Sequence, residues 1–174
     1  MDSSCPGLAG ANMTAKNKSP EKGAEAPRAS RCNAGASRKA ARRLSLMYDK
    51  VMAPAGLKLT QFGILSAVNA KGAALPTVGE LAEELVMDRS TVGQNLLPLE
   101  RDQLVTLLTD PNDRRSRLVA LTKQGVAKYN EARKYWKIAQ DRFEAAFGRK
   151  EAAELRSILF GIAYNEELKK VTGD

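Results

Sequence analysis

A short hairpin with a charged tip constrains the fold of this chain more than any other segment. Two runs able to form strands, Val105–Thr109 and Arg117–Leu121, are separated by only a few residues. The tip between them carries Asp110, Pro111, Asn112, Asp113, Arg114 and Arg115. Because runs of charge are usually solvated, the tip is either a solvated turn or a contact with a charged partner. The segments on both sides of the hairpin separate these two interpretations.

Two segments that predict short helices, joined by a tight turn, precede the hairpin. Thr77 and Glu80 form a capping box, in which the hydroxyl and the carboxylate each satisfy a free backbone N–H at a helix start. This helix is expected to span Val78–Leu85. The Val86–Met87 pair turns the chain, and Asp88 can cap a second helix. The apolar residues of the second helix lie on one inward face at i, i+4 and i+7; they are Val92, Leu96 and Leu99.

The outward face of the second helix is small and polar. Pointing away from the apolar stripe, or lying near the helix start, are Arg89, Ser90, Thr91, Gly93, Gln94 and Arg101. Such a face is often only solvated, but a short capped helix before it and a basic hairpin after it are typical of helix-turn-helix docking in the major groove. Pro98 removes a helical bond to the Gln94 carbonyl, so we expect a kink or a tightened end there.

An amphipathic helix is predicted over about 36–52. Its apolar positions follow the i, i+3, i+4, i+7, i+8 pattern of one helical face; they are Leu44, Met47, Tyr48, Val51 and Met52. The Ala53–Gly56 segment stops this helix, and Thr60 can cap the next one. Lys71–Gly72 ends that second helix, so two helices lead into the helix-turn-helix.

Two long helical segments follow the hairpin. Thr122 can cap a helix from about Lys123 to Phe147. Its aromatic residues recur every seven positions; they are Tyr129, Trp136 and Phe143. Gly148 breaks the pattern, and one last helix is expected to end near Val171. Its expected buried face holds Ala152, Leu155, Ile158, Leu159 and Ile162. Because these apolar rows would stay exposed on a lone chain, we expect them to pair between two chains.

The composition disfavours catalysis and favours an acidic partner. The 174-residue chain has a net charge of +8 and a pI near 9.6, which suits nucleic acid or a membrane surface. It contains no histidine, the commonest general base near neutral pH and the commonest metal ligand. Neighbouring carboxylates such as Glu83 and Glu84 point apart on a helix. We therefore expect no enzyme, no cofactor and no metal site.

The N-terminal segment and the cysteines bear on the location of the chain. Residues 1–30 have almost no large apolar side chains, so we expect a disordered basic tail before one domain over 31–174. Only Cys5 and Cys32 occur, outside any C-x-x-C spacing, which fits a reducing compartment. No window approaches the ~20 apolar residues of a spanning helix, and no apolar run marks a signal peptide. We expect a cytoplasmic protein without a membrane partner.

Taken in order, these motifs resemble the multiple-antibiotic-resistance regulator (MarR) family of bacterial transcription factors. The stretch DPNDRRSRLVALT matches the family's wing signature at Asp113, Arg115, Leu121 and Thr122. The stretch LAEELVMDRSTVGQNLLPLERDQLV resembles its helix-turn-helix, and GLKLTQFGILSAV the helix before it. The resemblance begins at about Arg38. It implies a mainly α fold with a small β-hairpin wing: a winged helix-turn-helix over about 57–122, and dimerisation helices over about 36–52 and 123–172.

The resemblance implies a homodimeric repressor that occupies a pseudo-palindromic operator in double-stranded DNA. The charged hairpin is then a wing whose arginines reach the minor groove, with an ion pair between Asp113 and Arg115. Gln94 can pair with adenine N6 and N7, whereas Gly93, which stands where relatives often carry a hydroxyl, could only allow close approach. The expected DNA contacts are Arg89, Ser90, Thr91, Gln94, Asn95, Arg101, Asn112, Arg114, Arg115 and Arg117.

The resemblance also implies a small effector that releases the DNA. The expected class is an aromatic or phenolic acid, or its acyl-coenzyme A thioester. Arg42 or Arg43 is available to its carboxylate or phosphate. The apolar candidates for the pocket suit a hydrophobic core better than a ligand site; they are Met47, Tyr48, Val51 and Phe62.

Two alternatives remain open at the level of sequence. Cys32 adjoins Arg31 near the start of the first helix, where cations or a helix start can make a thiolate reactive, so the chain could instead sense peroxide. The net charge of +8 also suits a non-specific architectural DNA binder. Sequence-independent affinity would identify that second class.

Overall fold

In the computed structural model, which describes residues 31–172, helices dominate and one hairpin interrupts them. In chain order the elements are α1 (Asn33–Met52), a 3₁₀ turn (Ala53–Ala55), α2 (Leu59–Lys71), α3 (Val78–Glu84), α4 (Arg89–Arg101), β1 (Val105–Thr109), β2 (Arg117–Leu121), α5 (Lys123–Phe147), α6 (Arg149–Ala163) and α7 (Glu166–Thr172). The expected disordered tail lies outside the described residues. A mainly helical fold with a two-stranded wing is confirmed.

The start of α2 differs from the prediction that Thr60 caps it. The helix begins at Leu59, whose backbone N–H donates to Asp49 Oδ1 at 2.7 Å. The N–H of Lys58 donates to Gln61 Oε1 at 2.9 Å. Thr60 therefore lies inside the first turn, because two side chains, one of them on α1, already satisfy backbone donors at this helix end.

The helix-turn-helix forms largely as predicted. Glu80 accepts the Thr77 N–H at 2.7 Å and Thr77 Oγ1 accepts the Glu80 N–H at 3.1 Å, which confirms the capping box of α3. Asp88 occupies the N-cap position of α4, but its side chain accepts no capping hydrogen bond, so that part of the prediction is wrong. Between the two helices, Val86 has a φ of 51°, a left-handed conformation that is strained for a β-branched residue.

The wing is anchored to the start of α3. The strands β1 and β2 pair antiparallel with Val105 opposite Leu121 and Thr109 opposite Arg117, which confirms both predicted strands. The N–H of Val119 donates to the Pro76 carbonyl at 2.8 Å. Since a two-stranded hairpin is marginally stable alone, this link and the buried Val119 hold it on the helices.

The predicted inward face of α4 forms the centre of the core. Its three apolar residues Val92, Leu96 and Leu99 are buried, and they pack in one cluster with α2, α3 and the base of the wing. Burial of large aliphatic side chains contributes about 1.5–3 kcal/mol each. Pro98 does not end α4, which continues to Arg101.

The aromatic row of α5 packs largely within its own chain. Phe62 of α2 stacks on Tyr129 with ring centroids 5.6 Å apart and on Trp136 at 6.1 Å. Phe143 instead stacks on Phe147 at 5.2 Å. The first two rings of the row therefore pack on α2 of their own chain, and pairing of the row with a second chain stays a prediction.

The C-terminal segment is two helices rather than the predicted one. The chain breaks after α6, and Asn165 Oδ1 accepts the Leu168 N–H at 3.0 Å at the start of α7. Of the expected buried face, Ala152 is buried, whereas Ile158 and Ile162 are 62% and 52% exposed. These apolar residues therefore form an open row on the single chain.

No single helix within residues 31–172 is long and apolar enough to cross a membrane. The α1 region and α2 meet the length and composition criteria only as a pair, across a bend of 73°.

Candidate nucleic-acid interface

The exposed face of α4 carries the predicted base-reading side chains. Arg89, Ser90 and Gln94 are exposed, and Thr91 is half-buried. A Cβ added at Gly93 would meet no heavy atom within 4 Å, so this stretch of helix presents bare backbone to solvent. The Asn95 side chain donates to the Thr91 carbonyl at 2.8 Å, which leaves its side-chain oxygen for another partner.

Leu97 is a member of this face that sequence reasoning missed. It is 64% exposed and lies one turn after Gly93 and Gln94 on α4. Its position outside the i, i+4, i+7 apolar stripe was the available signal. An exposed leucine beside a glutamine offers an apolar contact next to a hydrogen-bonding group, the pair of properties that distinguishes thymine from adenine in the major groove.

The side chain of Arg89 lies directly over Gly79. A Cβ at position 79 would stand 3.0 Å from Arg89 Nη2 and 3.3 Å from its Cζ. The guanidinium of Arg89 therefore packs over the first turn of α3 while its residue begins α4. Sequence reasoning selected Arg89 but missed Gly79, because only the fold brings the two together.

Arg101 is less available than predicted. It forms an ion pair with Asp102 in which Arg101 Nε and Asp102 Oδ1 are 2.9 Å apart. This hydrogen bond lowers the pKa of the Asp102 carboxyl. Exposed pairs of this kind are weak, so Arg101 can exchange the carboxylate for a phosphate.

The wing tip is held by backbone hydrogen bonds, and the predicted ion pair between Asp113 and Arg115 is absent. Asp113 Oδ1 accepts the backbone N–H of Arg115 at 3.0 Å, and the Asp113 carbonyl accepts the Ser116 N–H at 2.9 Å. Asp110 Oδ1 accepts the Asn112 N–H at 2.8 Å. The two aspartates therefore shape the turn through Asx-type contacts, since local backbone donors compete with a mobile guanidinium.

The arginines of the wing differ in their availability. Arg114 and Arg115 are exposed, and neither guanidinium has an ion-pair or hydrogen-bond partner among the described residues. Arg117 Nη1 instead donates to Thr109 Oγ1 across the hairpin at 2.9 Å. Asn112 is exposed beside them. The tip thus presents two uncommitted cations on a turn whose backbone is fixed.

The predicted effector residues lie mainly in packed surroundings. Tyr48 and Phe62 are buried, and Met47 and Val51 are half-buried. The Tyr48 hydroxyl donates to Gln140 Oε1 at 2.6 Å, and burial raises the pKa of this phenol. Arg42 and Arg43 are exposed on α1. Phe62 already contacts two aromatic rings of α5, Tyr129 and Trp136.

A cleft that the sequence did not predict lies between the helix-turn-helix and the C-terminal helices. Its volume is about 1040 Å³. Six of its lining residues are Val86, Met87, Arg89, Ile162, Tyr164 and Leu168. Both walls therefore carry apolar side chains next to the start of α4.

Cys32 lies at the N-cap of α1. The N–H of Gly35 donates to its sulfur at 3.3 Å, and the residue is exposed. Cys5 lies outside the described residues. Within the part of the chain that the structure describes, His, Cys, Asp and Glu side chains form no group of three that could hold a metal ion.

Comparison with known proteins agrees with this geometry. Residues 55–116 match the family model described as MarR family. The transcriptional activatory protein BadR of Rhodopseudomonas palustris is 35% identical over 95 residues, which are 53% of this chain and half of that relative's length.

Solved structures of two regulators with bound DNA share the fold over most of the chain. The M. tuberculosis regulator MosR in complex with DNA is 29% identical, with a TM-score of 0.70 over 79% of this chain and 97% of its own. The repressor CouR, bound to a 23-mer duplex, is 28% identical, with a TM-score of 0.68 over 76% of this chain and 92% of its own.

Proposed function

Because residues 55–116 match the MarR family model, we propose that this chain is a dimeric, sequence-specific DNA-binding transcriptional regulator of that family rather than an enzyme. One observation carries the proposal. The exposed polar face of α4 and two uncommitted wing arginines, Arg114 and Arg115, belong to one winged-helix unit. A recognition helix suits the major groove, and arginines at a wing tip suit a narrow minor groove. The DNA complexes of MosR and CouR support this docking.

Base readout is assigned to the middle of α4. Gln94 pairs with adenine through N6 and N7, and the bare backbone at Gly93 allows close approach to the base edge. Leu97 then contacts a thymine methyl group. Arg89, held over Gly79, makes a phosphate contact that positions the helix without specifying sequence.

A second copy of the chain is the proposed partner of the open apolar row on α6. Ile158, Leu159 and Ile162 are 62%, 40% and 52% exposed, and an open apolar row of this kind on a helix is typical of an interface. A two-fold dimer presents two copies of α4 to the duplex, so the operator is expected to be a pseudo-palindrome.

The regulatory response is proposed to be release from the operator when an aromatic acid or its coenzyme A thioester binds. Arg42 and Arg43 supply the charge for such a ligand, and Tyr48 and Val51 its apolar surroundings. Repression is the primary proposal. Activation is the second candidate, because the relative BadR is named an activatory protein, and a promoter fusion assayed with and without the protein separates the two.

The decisive experiment is a binding titration against the DNA upstream of the gene and against a scrambled duplex, across a salt series. A preference of ~10³ or more for the native duplex at physiological salt supports a specific regulator. Equal binding with a steep salt slope would mean that phosphate contacts dominate, and the architectural alternative would replace the proposal.

A further inference from the structure

A hydrogen bond joins the C-terminal helices to the DNA-reading unit. The Tyr164 hydroxyl donates to the main-chain carbonyl of Glu84 at 2.9 Å, between residues 80 positions apart. Tyr164 follows the last residue of α6, and Glu84 is the last residue of α3. The bond therefore connects the joint between α6 and α7 to the end of the helix that precedes α4.

The acceptor of this hydrogen bond, the Glu84 carbonyl, lies at the start of the turn between α3 and α4. Glu84 also pairs through its carboxylate with Lys71 at the end of α2, at 3.0 Å. Two residues later Val86 is held at a φ of 51° with 59% of its surface exposed. A β-branched residue in this region persists only where its surroundings impose the conformation. The carbonyl that accepts the Tyr164 bond therefore lies two residues before the strained position of the turn.

The donor of this bond, Tyr164, lines the cleft between the helix-turn-helix and the C-terminal helices. The cleft has a volume of about 1040 Å³. Val86 and Met87 line one side of it, and Ile162, Tyr164 and Leu168 line the other. Close-packed interiors fix neighbouring helices through many small contacts. Few such packing contacts exist across an open cleft, so a single hydrogen bond contributes more to the relative position of the two sides. This bond would break if the C-terminal helices moved away from α3.

We propose that Tyr164 is a positioning residue for DNA recognition, which fixes the α3–α4 turn and couples α4 to the C-terminal helices. This inference rests on the proposed role of α4 in DNA binding. Tyr164 itself is assigned no contact with DNA. A shift of α6 and α7, whether caused by a ligand or by assembly, reaches the recognition helix through this bond, since a differential contact is what allows such a shift to change affinity.

The test compares Tyr164→Phe with Tyr135→Phe in the full chain. The phenylalanine keeps the ring contact with Phe160, whose centroid lies 6.1 Å away, and removes only the hydroxyl. Tyr135 is the matched control because its hydroxyl has no hydrogen bond among the described residues. We measure affinity for the operator duplex across salt, hydrogen exchange at Val86 and Met87, and molecular mass in solution.

For Tyr164→Phe we expect operator affinity to fall by about five- to tenfold, roughly 1–1.4 kcal/mol. The salt slope should not change, because no phosphate contact is lost. Exchange at Val86 and Met87 should accelerate, while mass and the Tyr135→Phe values stay at wild type. Unchanged affinity, or unchanged exchange, would overturn the positioning role. Wild-type protein that ignores every duplex would overturn the proposed function instead, and the exchange measurement would still test the bond.

Discussion

The carbonyl oxygen of Leu104 occupies the space beside Gly125 in which any other residue would carry its Cβ. Around it, the Thr122 N–H donates to the same carbonyl at 3.1 Å. The Thr122 hydroxyl donates to the Gln103 carbonyl at 2.6 Å and accepts the Gly125 N–H at 2.9 Å. The end of α4, the start of β1 and the start of α5 thus meet at one point, and this junction fixes the wing relative to the recognition helix.

Gly125→Ala is expected to destabilise the protein by about 1–3 kcal/mol, the range of core overpacking. The rigid backbone of Leu104 cannot move aside without breaking its bond to Thr122. The control is Gly63→Ala in α2, where an added Cβ meets nothing within 4 Å and helix propensity favours alanine by up to ~1 kcal/mol. Urea unfolding measures both, and equal stabilities for the two variants would contradict the clash.

Gly93→Ala separates stability from DNA binding. The position lies in the open on α4, so alanine should raise the free energy of unfolding by about 0.5–1 kcal/mol. In the proposed complex the same methyl group would face the bases, and we expect operator affinity to fall by about tenfold, or ~1.4 kcal/mol. Chemical denaturation and duplex titration of one preparation measure the two effects. A variant that is more stable and binds unchanged would remove Gly93 from the interface.

Two substitutions at Asp113 distinguish a turn-forming side chain from an ion pair. Asp113→Asn keeps an oxygen that accepts the Arg115 N–H, so operator affinity should stay within about 0.5 kcal/mol of wild type. Asp113→Ala removes the acceptor and should weaken binding by about 1 kcal/mol, the net value of one hydrogen bond. If the asparagine variant binds as weakly as the alanine variant, the negative charge matters and the turn explanation is wrong.

The wing arginines should differ in their effect on salt dependence. Arg114→Ala and Arg115→Ala each remove an uncommitted cation, and each should reduce the salt slope of binding by about one. Arg117→Ala is the comparison, because its guanidinium is already bonded to Thr109; its slope should change less. Titrations at several salt concentrations measure the slopes. Identical slopes for all three variants would show that the hydrogen bond to Thr109 does not keep the Arg117 guanidinium from contacting DNA.

Acid stability should depend on the capping box of α3. The hydrogen bond from the Thr77 backbone lowers the pKa of Glu80. A lowered folded-state pKa stabilises the fold at pH values above the unfolded-state pKa of about 4.3. This stabilisation is lost as the pH falls through the folded-state pKa. The free energy of unfolding should therefore fall less steeply with acid in Glu80→Gln than in wild type. Glu83→Gln, an exposed change on the same helix, is the control, and urea unfolding between about pH 3 and 6 measures all three.

Local chemistry predicted much of this fold. The strands β1 and β2 follow from apolar runs on either side of turn-forming residues. Thr77 and Glu80 predict the start of α3, because the two partners of a capping box are three residues apart. The apolar stripe of α4 is buried as its spacing predicts. Each of these features depends on residues within one turn or one hairpin of each other.

Contacts between distant elements could not be predicted. Nothing near Gly125 in the sequence indicates the carbonyl of Leu104, and nothing near Phe62 indicates the rings of α5. The missing ion pair at Asp113 has a different cause, because a carboxylate can accept a backbone N–H as well as a guanidinium, and the turn geometry decides between them. The break at Asn165 was missed because apolar residues recur after it, at Leu168 and Val171.

The hydrogen bond between Tyr48 and Gln140, residues 92 positions apart, imposes an order on the maturation of the chain. During synthesis the N-terminal parts of a protein leave the ribosome first, so α1 emerges long before the helix against which it packs. The core of the winged-helix segment is incomplete in the interval as well, because Phe62 stacks on Tyr129 and Trp136 of α5. Translation through α5 is therefore the step that lets both α1 and the DNA-reading unit complete their packing.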